Sequence, residues 1–155
     1  MENHSYELGE TLSRSVDIDL TFGREVAVTG ILQLLAQRGW TPVEPLGISW
    51  MIESEGDFDW SSGDPLKQPQ ILARLDAPEA RGLHVGISVY RPNIETGGTL
   101  LFYPGRQAAS FTPSINRRSL QGAAEMTDLA WYIKELVYPL LPGDLLGYTA
   151  RDIAD

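Results

Sequence analysis

The residue pattern predicts an α+β domain, a two-layer sandwich in which a mostly antiparallel, mixed sheet of about five to six strands carries two helices on one face, in the order β-α-β-β-β-β-α. Three observations predict it. Residues 16–22 alternate apolar and polar, residues 24–38 repeat their apolar positions at helical spacing, and several short apolar runs follow, separated by turn-rich segments. A chain of 155 residues fits one domain, 1–155, with residues 1–12 as a frayed start.

In the first strand Val16, Ile18, Leu20 and Phe22 share one face, and Asp17, Asp19 and Thr21 share the other. The helix over 24–38 gathers Ala27, Val28, Ile31, Leu32, Leu34 and Leu35 on one side, with Gln33 and Gln37 opposite. Gly39 stands where a helix often ends in a left-handed residue. A second alternating run covers 46–53, with Leu46, Ile48, Trp50 and Ile52 on the apolar side. A strand, helix and strand in succession make a crossover, so the first two strands should be parallel, either adjacent or separated by a later strand.

The next strands are expected at 70–75, 83–90, 100–103 and 110–112, with Gly97-Gly98 and Pro104-Gly105 as turns. Pro113 puts the last of these at an edge, because proline donates no hydrogen bond to a neighbour. The second helix is expected from 122 to 138, stopped by Pro139, with Met126, Leu129, Ala130, Ile133, Leu136 and Val137 as its core stripe. Trp131 and Tyr138 fall seven residues apart on its far side, with Lys134 between them. They form either a secondary contact patch, through which copies could pair, or a surface covered by the tail 143–155.

Composition narrows the functional classes. There is no cysteine, hence no disulfide, thiolate metal site or cysteine nucleophile. No run of about 18 apolar residues crosses a membrane, and no basic and apolar leader opens the chain, so a cytoplasmic location is expected. The net charge of -9 argues against nucleic acid, whose phosphates require a surplus of lysine and arginine. The charge is also uneven. Residues 1–64 hold twelve acids against three bases, an excess equal to that of the whole chain, whereas residues 65–155 balance nine against nine.

No G-x-S-x-G elbow, Walker loop or G-x-G-x-x-G fingerprint is present. His84, Ser88 and Tyr90 share one face of their strand and make an alternative site, for a small polar ligand or for catalysis, yet no nearby carboxylate in the sequence orients the histidine. The acids at alternate positions after Glu55 resemble a calcium loop only in part. Counting from Asp57, Ser62 and Gln68 occupy the places where an EF-hand needs glycine and glutamate, so no metal or other cofactor is expected.

The reading favoured by the charge is a non-enzymatic protein-binding domain that docks on a basic protein partner, such as an immunity or inhibitor protein facing a toxin. Its expected contact residues are Asp17, Asp19, Glu53, Glu55, Asp57, Phe58, Asp59, Trp60 and Asp64, gathered at one end of the sheet if the first two strands are near neighbours.

Overall fold

The computed structural model describes residues 13–155, so the expectation for residues 1–12 lies outside it. The chain is α+β, built on a curled antiparallel sheet. Its first half runs through β1 (Arg14–Phe22), α1 (Val28–Ala36), β2 (Val43–Glu44), β3 (Gly47–Ile52), β4 (Trp60–Gly63) and α2 (Gln68–Leu75). Its second half runs through β5 (Val85–Arg91), β6 (Thr96–Phe102), β7 (Ala108–Ile115), β8 (Ser119–Leu120), β9 (Ala123–Thr127), α3 (Leu129–Tyr132) and β10 (Leu145–Ala154). The main sheet has eight strands in the order β10-β1-β7-β6-β5-β3-β2, with β4 also paired to β3, and β8 and β9 form a separate hairpin.

The alternation of β1 is obeyed residue by residue. Ile18, Leu20 and Phe22 are buried, while Asp19 and Thr21 face outward. The register carries the same parity across the sheet: Ile18 lies opposite Phe111, Phe111 opposite Leu100, Leu100 opposite Ile87, and Ile87 opposite Trp50. These side chains join Val28, Ile31, Leu32 and Leu35 of α1, Ile71 and Leu75 of α2, and Tyr132 of α3 in one core. Helix α1 begins at Val28, later than its periodicity implies, because Val26 donates its backbone N–H to Arg106 and Ala27 is extended. Asp76 caps the helix from a distance, accepting from the backbone N–H groups of Val28 at 2.7 Å and Thr29 at 3.0 Å. Gly39 is left-handed, as its place after the helix requires.

Several expectations are corrected. The sheet has eight strands and no parallel pair. β1 and β3 do point the same way, but β7, β6 and β5 stand between them. Residues 70–75 belong to helix α2, which buries Ile71 and Leu75 four residues apart with Pro69 in its first turn. β7 is internal. Its Pro113 is tolerated because the β6–β7 register slips there and the pairing with β1 stops at Phe111. Gly97 and Gly98 lie within β6, since a Cβ at Gly98 would stand 2.2 Å from the Thr112 carbonyl oxygen and one at Gly97 would stand 2.3 Å from that of Val89.

The expected helix from 122 starts only at Leu129. Residues 123–127 are strand, Met126 is exposed, and Asp128 caps the helix by accepting from Trp131 N at 3.2 Å. After Tyr132 the helix widens into a π turn over Ile133–Val137 and then tightens over Tyr138–Gly143. That change of pitch breaks the seven-residue spacing. Trp131 turns inward, edge-on to Trp40 with ring centres 6.1 Å apart, whereas Lys134 and Tyr138 stay exposed. The main part of the tail 143–155 is β10, paired along the whole length of β1.

Candidate functional site

The residues expected to form one acidic patch occupy two regions. Four antiparallel steps separate β1 from β3, roughly 19 Å at ordinary strand spacing. Asp17 is also paired with Arg151 of β10, at 2.6 Å. Asp17 and Asp19 therefore stand apart from the residues between Glu53 and Asp64.

Those residues form a compact structure of their own. Ser54 and Asp57 exchange backbone hydrogen bonds at 3.0 and 2.9 Å, and Glu55 and Gly56 between them both have positive φ, the pattern of a tight two-residue hairpin. The chain then returns along β3 as β4, with Trp60 opposite Met51 and Met51 opposite Gly86. The Trp60 indole lies across Gly86, where a Cβ would stand 2.7 Å from the ring. This is why position 86 is glycine: the ring occupies the space of a side chain.

His84 precedes β5 on the same face of the sheet and meets Glu53. One Glu53 carboxylate oxygen accepts from both the backbone N–H and the ring Nδ1 of His84, each at 2.9 Å, and Glu53 N donates to the His84 carbonyl. A carboxylate only accepts, so Nδ1 carries a proton. The orienting acid comes from the neighbouring strand, where no local sequence pattern shows it. Phe58 and Tyr103 flank the imidazole at 4.9 and 5.2 Å between ring centres. Tyr103 was not singled out in the sequence, although pairing residues 83–90 with 100–103 across their turn brings it opposite His84.

The trio His84, Ser88 and Tyr90 does share a face but does not assemble. Ser88 is four residues from His84, about 13 Å along the strand. Ser88 and Tyr90 are buried, Tyr90 against the bare backbone of Gly97. Among the described residues, no group of three histidine, aspartate or glutamate side chains could hold a metal ion, and no helix is long and apolar enough to cross a membrane.

What remains at this end of the sheet is an aromatic strip edged with acid. Phe58, Trp60 and Tyr103 are 43%, 42% and 38% exposed, half-buried rings that offer large apolar faces to water. Glu55, Asp57 and Asp59 are exposed in the same segment, whereas Asp64 follows the far end of β4, four residues past Trp60, and accepts from Leu66 N at 2.9 Å; none of the four has an ion-pair partner among the described residues. No family model, curated protein or solved structure matches this chain.

The Glu53–His84 contact has a measurable consequence. The hydrogen bond from the His84 backbone, then that from its ring, holds the Glu53 carboxyl below its ordinary range. A depressed carboxyl pKa stabilises the fold at neutral pH, and that contribution is lost as the pH falls through the depressed value. NMR titration of the Glu53 side chain should give a midpoint under the usual carboxylate range, moving only part of the way back up in His84→Ala, which keeps the backbone donor. An ordinary midpoint in the unaltered protein contradicts the pairing.

Proposed function

We propose that this chain is a non-enzymatic protein-binding domain that captures a basic partner on the outward face of β3, β4, β5 and β6, through the aromatic strip and its acidic hairpin. In this reading the domain is a two-layer sandwich with helices on one face and the docking surface on the other. An inhibitor or immunity protein that shields a cationic cleft of a toxin is the concrete form. The observation that supports it is the placement of three half-exposed rings beside three carboxylates, Glu55, Asp57 and Asp59, that have no ion-pair partner among the described residues. Aromatic anchors with a charged rim are the composition of a binding hot spot, and the like charges of the hairpin repel one another until a cationic surface meets them.

A second reading treats His84 as a base in a small-ligand site or enzyme, favoured by the carboxylate that orients it. One experiment separates the two. The protein, an Asp57→Lys/Asp59→Lys variant and a His84→Ala variant are each immobilised and exposed to native lysate, then eluted with a salt gradient. The docking reading expects a basic protein on the unaltered bait, and on the His84→Ala bait with at most a partial loss from the gap left between Phe58 and Tyr103, released at a few tenths molar salt, roughly where screening reaches a few ångströms. The charge-reversed bait should retain at least about tenfold less. Equal capture by the charge-reversed bait would sink the docking reading, and complete loss on His84→Ala alone would favour the second.

A further inference from the structure

We propose that this protein forms a twofold homodimer by antiparallel pairing of β10 with β10 of a second copy, joining two sheets into one. β10 ends the main sheet: it is ten residues long and pairs with β1 alone. Its other edge makes no backbone hydrogen bond to a further strand among the described residues. Edge strands are normally protected by shortness, proline, bulges or lysine. β10 is long and contains no proline or lysine; its one bulge, at Leu146, lies near its start, and from Gly147 to Ala154 it keeps a regular register with β1.

Its two charges are already neutralised within the monomer. Arg151 pairs with Asp17, and Asp152 with Arg14, each at 2.6 Å. Leu146, Tyr148 and Ile153 are exposed along the same strand. Both charges of the strand thus have partners within the monomer, and apolar side chains border the edge.

Like charges limit the registers open to a second copy. Residues opposite one another in a sheet must share a face, so a symmetric pair is centred on a residue. Centres at Arg151 or Asp152 set identical charges face to face, which is destabilising. A centre at Ala150 instead sets Thr149 opposite Arg151 of the second copy and Tyr148 opposite Asp152 of the second copy. It uses residues 146–154 of each copy and forms about nine inter-strand hydrogen bonds. β10 lies at the far end of the sheet from β3 and β4, so the dimer leaves the aromatic strip of both copies open. The inference does not depend on what that strip binds.

Thr149→Lys is the decisive variant. Within the monomer Thr149 lies opposite Asp19, so a lysine there gains a carboxylate neighbour and the fold is kept. In the dimer the same lysine faces Arg151 of the second copy. Light scattering over a concentration series reaching about 0.5 mM should show the unaltered protein shifting toward twice its monomer mass. Thr149→Lys should remain a monomer with an undiminished unfolding midpoint. In hydrogen exchange, the amides of residues 146–154 should gain protection with concentration in the unaltered protein only. A monomer at every concentration overturns the proposal, and so does a dimer that Thr149→Lys leaves intact or whose β10 amides gain no protection.

Discussion

Replacing Arg106 by alanine should cost about 3–5 kcal/mol of folding stability, the range expected when a buried, hydrogen-bonded cation is removed from its partners. Arg106 is buried and has a left-handed backbone after the Pro104-Gly105 turn. Its guanidinium donates to the carbonyls of Leu83 at 2.8 Å, Tyr103 at 2.9 Å and Ala80 at 2.7 Å. Burial pushes its pKa down, with the neighbouring Asp76 acting the other way, yet arginine stays charged across the working range. Truncation would leave the Leu83 carbonyl without its donor, remove one of two donors from the Ala80 and Tyr103 carbonyls, which keep the backbone N–H groups of Leu83 and Arg106, and leave a void where the side chain had been. Because Leu83 precedes His84, and Tyr103 is itself part of the aromatic strip, the loss would also loosen the docking surface. Chemical denaturation measures the effect, and a change under about 1 kcal/mol would show that water replaces the guanidinium at little cost.

The parts of this fold legible in the sequence are those governed by local periodicity. β1 alternates over seven residues with charges on its polar side, and α1 repeats its apolar positions for three turns before Gly39, so neighbouring residues suffice to identify them. Residues 70–75 defeat the same reasoning. Ile71, Leu72 and Leu75 suit a short buried strand as well as a helix, and the choice is made by Pro69 and by packing on the core. The helix expected from 122 is misread for a different reason: Ala123, Ala124, Glu125 and Met126 are strong helix formers, and pairing with β8 overrides that local preference.

The candidate site was legible in its loop and illegible in its centre. Phe58, Trp60 and the acids around them stand out in composition, and they do lie on the surface. Glu53 and His84 are 31 residues apart and meet only because β3 and β5 are neighbours, which no local pattern dictates. The same nonlocal information removes Asp17 and Asp19 from the patch. The strands that intervene between β1 and β3 all come later in the chain, so the separation depends on strand order, which periodicity does not reveal.

Trp60→Ala should lower capture of the basic partner by about 30-fold or more, equivalent to about 2 kcal/mol for a central aromatic anchor. The ring is placed for that role by the backbone beneath it. Gly86 supplies a flat floor, Met51 is buried beside it, and the exposed half of the indole faces outward. Truncation also removes packing within the domain, so a loss of binding alone could follow from a disturbed sheet. Gly86→Ala distinguishes the causes, because its Cβ would stand 2.7 Å from the ring and must push the indole aside without altering any exposed group. If Trp60 binds as an anchor, Gly86→Ala alone should weaken capture, while adding Gly86→Ala to Trp60→Ala should cost nothing further, since the displaced ring is already gone. That non-additivity is the signature of two residues acting through one contact. Additive losses, or a Trp60→Ala protein that binds as tightly as the original, would place the anchor elsewhere and leave the acidic hairpin without its aromatic core.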